Sequence, residues 1–87
     1  MSTTIKYCND GTYCYFKVPY NVNFNEEIKS VVPREDRDTS EGLGWCRDEK
    51  IWKFPSIHQV AVEACITRNF DRVYWKQMNT AEDVIES

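Results

Sequence analysis

The side chains of this sequence that can do chemistry are His58, four cysteines at positions 8, 14, 46 and 65, and adjacent acids such as Glu26-Glu27, Glu35-Asp36 and Glu82-Asp83. Nucleophilic catalysis needs a Ser or Cys activated by a neighbouring base, and no motif ties such a residue to His58, the only histidine. A structural zinc site usually announces itself by a Cys-x-x-Cys pair. Cys8, Cys14, Cys46 and Cys65 contain none, and they read as small apolar fillers of strands and a helix. The paired acids fall in segments that surface charge alone explains, and there is no glycine-rich phosphate loop. These residues predict a protein that is not an enzyme, with no metal and no cofactor, whose work is to bind another macromolecule.

A second constellation is better placed for binding. Asn9-Asp10-Gly11-Thr12 between two alternating runs predicts a hairpin over residues 4–18 with Asp10-Gly11 as its two-residue loop. Ile5 then faces Phe16 and Tyr7 faces Cys14, so Ile5, Tyr7, Cys14, Phe16 and Val18 share the core side. Successive strand residues point to opposite faces, which leaves Lys6, Cys8, Tyr13, Tyr15 and Lys17 on the other side. Residues 71–77 predict a final strand that adds Arg72, Tyr74 and Lys76, alternating with Val73 and Trp75. Rings interleaved with cations suit a sequence-tolerant single-strand binder, because bases stack on rings while cations follow phosphates. Lys6, Tyr13, Tyr15, Lys17, Arg72, Tyr74 and Lys76 are therefore the predicted nucleic-acid contacts, on condition that no helix covers them.

The remaining elements must hold those strands. Asn21-Val22-Asn23 offers N-caps, with Asn23 and Glu26 in a capping arrangement, for a helix whose stripe is Phe24, Ile28, Val31 and Val32 and which Pro33 stops. Residues 34–42 read as a solvated loop. A second hairpin pairs Leu43–Arg47 with Lys50–Phe54 around Asp48-Glu49, setting Trp45 opposite Trp52 and Leu43 opposite Phe54. Ser56 and Gln59 form a capping box for a second helix with Ile57, Val60, Ala61, Ala64 and Cys65 as its buried stripe. Thr80 with Asp83 caps a last turn containing Val84 and Ile85. The order β-β-α-β-β-α-β predicts an α+β fold: a small antiparallel sheet built from two hairpins and a final strand, with two packed helices. Residues 1–77 form the single domain and 78–87 a short acidic C-terminal tail or helical turn.

Eighty-seven residues leave room for one core, and 41% hydrophobic with 29% charged residues is a globular composition. No run of eighteen apolar residues occurs and the first residues lack a signal-peptide core, which predicts a cytoplasmic chain with no membrane partner. The net charge of −3 opposes a dedicated high-affinity nucleic-acid binder. Residues 21–41 hold six acids against three bases, and they support a second reading. In it the chain is a small acidic inhibitor of phage type, directed at a host nuclease or defence complex such as CRISPR. Glu26, Glu27, Glu35, Asp36, Asp38 and Glu41 then face a basic groove of the partner.

Phe16-Lys17-Val18-Pro19-Tyr20-Asn21, the helix after it, and Gly44-Trp45-Cys46-Arg47-Asp48-Glu49-Lys50-Ile51-Trp52-Lys53-Phe54-Pro55 resemble the HARP-like module of annealing helicases and of some phage and bacterial helicases. The resemblance spans roughly residues 15–68, and its most specific element is the pair of tryptophans with six residues between them. Where that family often places a basic residue before the first tryptophan, this chain has Gly44, and its loop 34–42 is longer. The resemblance implies an accessory module that engages single-stranded or branched DNA, and a stand-alone copy implies a phage or mobile-element protein. The expected partners are single-stranded or branched DNA, bound weakly, or a protein of a DNA-processing or defence complex, with no small-molecule substrate.

Overall fold

A computed structural model describes residues 2–87. β1 (Ser2–Asn9) and β2 (Tyr13–Lys17) form the first hairpin, but its loop is Gly11-Thr12 rather than Asp10-Gly11. The Asp10 N–H donates to the Tyr13 carbonyl at 3.1 Å, and the Asp10 carboxylate accepts from the Thr12 and Tyr13 N–H groups. Gly11 takes the left-handed conformation, φ 93°, at the first loop position. The cap made by Asp10 therefore moves the turn one residue along. Tyr7 pairs with Phe16 and Cys8 with Tyr15, a two-residue change of partner from the expected register. An even shift keeps every side chain on its face, so Ile5, Cys14, Phe16 and Val18 are buried as expected.

α1 (Val22–Val31) is capped by Asn21, whose side chain accepts from the Phe24 N–H at 2.8 Å; Asn23 is not the cap. Phe24, Ile28 and Val32 are buried, and Pro33 ends the helix. Two short 3-10 turns, Arg34–Arg37 and Thr39–Glu41, occupy the expected loop. Arg37 ties them to the helix end, its Nε donating to the Val32 carbonyl at 2.8 Å. β3 (Gly44–Cys46) and β4 (Ile51–Pro55) place Trp45 opposite Trp52, as the spacing predicts. The connecting loop runs from Arg47 to Lys50 instead of Asp48-Glu49, with Lys50 at φ 60°, and Leu43 lies outside the strand.

Ser56 does not cap the second helix. Its N–H and Oγ donate to the Thr12 and Gly11 carbonyls of the first hairpin's loop, and a 3-10 turn over Ser56–His58 leads into α2 (Gln59–Asn69). The buried face of α2 is Val62, Cys65 and Ile66. Ile57, Val60, Ala61 and Ala64, expected inside, are exposed. The segment is apolar on two sides, and Val62, Cys65 and Ile66 take the core.

β5 (Arg72–Gln77) pairs with β1 in parallel, so the sheet is mixed rather than antiparallel, in the order β3-β4-β2-β1-β5. α1 carries the chain from β2 to β3, and α2 from β4 to β5. β2 and β4 run in opposite directions and their crossovers leave in opposite directions along the sheet. One hand of crossover therefore puts both helices on the same face. The main core confirms it, with Phe24, Ile28, Val62 and Ile66 meeting Ile5, Phe16 and Phe54. The expected tail is a third helix, α3 (Ala81–Glu86), capped by Thr80 as the sequence suggests and packed on β1 and β2 with Val84 fully buried. It belongs to the folded domain. Among the described residues no helix is long and apolar enough to cross a membrane.

Gly44, just before the first tryptophan, is required by the backbone. Its φ is 78°, and a Cβ there would lie 2.8 Å from the Arg37 carbonyl oxygen. Gly42, at φ 76°, has nothing within 4 Å of its Cβ position. Gly42→Ala should cost about 1 kcal/mol for conformation alone. Gly44→Ala should cost clearly more and lower the thermal midpoint further, as chemical and thermal denaturation of the two variants will show.

Candidate nucleic-acid interface

The face of the sheet opposite α1 and α2 is built by alternation. β1 presents Thr4, Lys6 and Cys8; β2 presents Tyr13, Tyr15 and Lys17; β5 presents Arg72, Tyr74 and Lys76. Register fixes which of these are neighbours. Lys17 pairs with Lys6 and Lys6 with Lys76, so three lysines lie in a row across three adjacent strands about 4.8 Å apart. Tyr74 lies opposite Thr4, Arg72 opposite Ser2, and Lys53 of β4 opposite Tyr15. All seven predicted contacts, Lys6, Tyr13, Tyr15, Lys17, Arg72, Tyr74 and Lys76, thus share one face, and no strand residue on it is acidic. Lys53 joins them with its Nζ 4.2 Å from the centre of the Tyr13 ring, a cation–π contact. The alternation of Lys53 with Trp52 and Phe54 would have placed it there from sequence.

The condition that no helix covers this face fails at its centre. α3 lies across it, and Cys8, Tyr15, Ile51 and Val84 form a second small core with Tyr13, Cys46, Met78 and Ile85 around it. Tyr15, expected to be exposed, retains 9% of its surface. Its hydroxyl donates to Asp10 Oδ2 at 3.0 Å, and burial together with that bond pushes its pKa up to about 12. Lys17 Nζ donates to the Ile85 carbonyl at 3.3 Å and to the Ser87 carbonyl, at the negative end of the α3 dipole. Lys76, Arg72 and Tyr74 stay exposed, while Lys6 is half-buried.

A cleft of about 440 Å³ continues this face around the end of the sheet. Lys6, Lys17 and Lys50 line it together with Tyr20 and Trp45, and no Asp or Glu does. A neighbouring slot of about 430 Å³ shares Val18, Tyr20 and Trp45 with it and adds Val22, Asn25, Trp52 and the Glu26–Lys29 ion pair. Tyr20 is 84% exposed and Trp45 presents an open edge. Sequence reasoning missed this cleft because Tyr20 and Lys50 lie in turns, where no periodicity reports direction. Trp45, set opposite Trp52, meets it with ring centroids 5.5 Å apart and stays 39% exposed.

His58 is half-buried and hydrogen-bonded through Nε2 to Asp36 Oδ2 at 2.6 Å, which fastens the first 3-10 turn to the start of α2. Burial raises the pKa of all four thiols, Cys14 to about 12 and Cys65 to about 11, so they remain protonated at neutral pH. Among the described residues no three His, Cys, Asp or Glu side chains gather as metal ligands. The acids of the inhibitor reading are largely engaged. Glu26 pairs with Lys29 at 2.9 Å, Glu27 bonds Arg68 and Asn69, Asp36 holds His58, and Asp38 caps the turn at Ser40; Glu26, Glu35, Asp38 and Glu41 are all exposed.

Neither family models, curated proteins nor solved structures provide a match to this chain.

The burial of Tyr15 has a spectroscopic signature. A group whose folded pKa is raised stabilises the fold below its ordinary value, here 10.0, and that contribution is lost as pH climbs toward about 12. An alkaline absorbance titration should show one late tyrosine that Tyr15→Phe removes. Tyr15→Ala should cost on the order of 3 kcal/mol in denaturant unfolding.

Proposed function

We propose that this chain is a non-enzymatic module that binds single-stranded DNA weakly, on the part of the lysine face beside α3 and in the cleft that continues it. The observation that carries this reading is the row Lys17, Lys6 and Lys76. Like charges on neighbouring strands repel, so the row is held against an electrostatic cost. Among the described residues Lys17 alone of the three has backbone carbonyls as partners, and none of the three forms an ion pair with a carboxylate, those of α3 included. A polyanion relieves the repulsion. Single strands are favoured over duplex because the open rings of Tyr20, Trp45 and Tyr74 stack on unpaired bases, which a duplex keeps to itself. The HARP-like resemblance points the same way, toward an accessory of DNA processing. The net charge of −3 keeps the affinity low.

The acidic-inhibitor reading draws less support, because four of its six acids already have partners inside the molecule.

Titration with a fluorescent oligothymidylate tests the proposal. Three neutralised phosphates give a slope of log affinity against log salt of about −2, at roughly −0.7 each. Replacing Lys6, Lys50 and Lys76 together by Ala should make the slope clearly shallower, with Lys17 and Arg72 keeping the remainder, while leaving the fold within about 0.5 kcal/mol of the parent. Tyr20→Ala should lose about tenfold in affinity, the equivalent of one stacked base. Binding that ignores salt, prefers duplex or is unchanged by the triple substitution would overturn the reading.

A further inference from the structure

We infer that the lysine-lined cleft and the slot beside it form one site for the end of a DNA strand, with the last base in the slot and a terminal phosphate in the cleft. The inference rests on the single-strand reading and deepens it. Tyr20 and Trp45 line both cavities, so they are a wall shared by a cationic compartment and an apolar one. The cleft presents Lys6, Lys17 and Lys50 and no Asp or Glu. The slot has Val18, Val22 and Trp52 behind the two rings, and at about 430 Å³ it lies near the small end of ligand sites, with room for one base. A cationic cleft joined through aromatic rings to an apolar slot fits a planar ring that carries a phosphate, which is a nucleotide.

Two features of the walls favour the end of a strand over its interior. On the cleft side the phosphates have a cationic path through Lys17, Lys6 and Lys76, which register sets in a row. On the far side the slot is bounded by α1, through Asn25 and the exposed Glu26–Lys29 ion pair, where the lysine is already matched by its own carboxylate. A strand that ran through the slot would carry its next phosphate past Glu26, which repels it. The charge of the cleft makes the same choice. A phosphate at the end of a strand is a monoester bearing about −1.5 to −2 near pH 7, whereas an internal diester bears a single negative charge. Lys17 already donates to the Ile85 and Ser87 carbonyls, but Lys6 and Lys50 form no ion pair among the described residues. Two ammonium groups lining one cleft balance the monoester, and an internal phosphate would leave one of them unanswered.

Competition against a fluorescent oligothymidylate tests the site in the whole chain. The competitors are oligothymidylates of one length with hydroxyls at both ends, with a phosphate at the 5′ end, with a phosphate at the 3′ end, or closed into a circle. One of the two phosphorylated forms should bind about threefold more tightly than the hydroxyl form, the worth of one further exposed ion pair. The circle should bind no better than the hydroxyl form. Lys50→Gln and, separately, Lys6→Gln should each erase the advantage of the phosphate, and if one of them fails to fold the other decides. Lys76→Gln, which removes a lysine of the sheet outside the cleft, should weaken every form alike and keep the advantage. Deoxythymidine monophosphate should compete about tenfold less well than the phosphorylated strand, because it cannot also stack on Tyr74. Equal binding of the hydroxyl and both phosphorylated forms, a circle that binds as tightly as they do, or a mononucleotide that competes as well overturns the strand-end site and leaves single-strand binding standing. No binding by any of the oligothymidylates overturns both.

Discussion

The packing of α1 and α2 against the same face of the sheet is the contact on which the rest of the molecule depends. Phe24 and Ile28 from one helix and Val62 and Ile66 from the other close over Ile5, Phe16 and Phe54, all essentially without solvent exposure. Trp52 joins this core to the second hairpin, edge-on to Phe24 at 5.4 Å and stacked on Phe54 at 5.8 Å. In a chain of this size the large rings supply apolar area that a longer chain would gather from many residues. Asn21 links the two helices directly, capping α1 with its oxygen and donating to the Asn69 carbonyl at the end of α2 with its nitrogen.

Committing both long helices to one face leaves the other to a helix of six residues. α3 covers the middle, around Cys8 and Tyr15, and the covered part is held by a cap and a buried hydroxyl that share Asp10. Hydrogen bonds from Tyr13 and Thr12 lower the pKa of that carboxyl, so one residue fixes the hairpin loop and satisfies the only polar atom of the Tyr15 ring. Outside the shadow of α3 the face is cationic, and the cations lie in a row because strand register puts them there. The chemistry of this surface is set by which part α3 leaves open.

Charge illustrates the difference between composition and placement. The segment 21–41 is acidic in sequence, yet four of its six carboxylates are drawn into helix and turn contacts with Lys29, Arg68, His58 and Ser40. The bases of β1, β2 and β5 are fewer but lie on one flat surface. A net charge of −3 therefore coexists with a face that presents no acidic strand residue.

Much of the fold was legible from local rules. Alternation assigned both sides of the first hairpin correctly even though Asp10 moved the turn. The spacing of Trp45 and Trp52 set the second register. Asn21-Val22-Asn23 and Pro33 bracketed α1, and Thr80 with Asp83 marked the turn that became α3. These signals act over a few residues, through dihedral preference, capping and the two-residue period of a strand. What the tertiary structure alone decided depends on chain segments far apart: the parallel pairing of β5 with β1, the side of α2 that faces the core, the bond between His58 and Asp36, and the cover α3 lays over Tyr15. α2 is the clearest case, because Ile57, Val60, Ala61 and Ala64 match the helical period as well as Val62, Cys65 and Ile66 do. Only the volume left between the sheet and α1 selected the second set, and that volume is a property of the assembled layers that no window of the sequence contains.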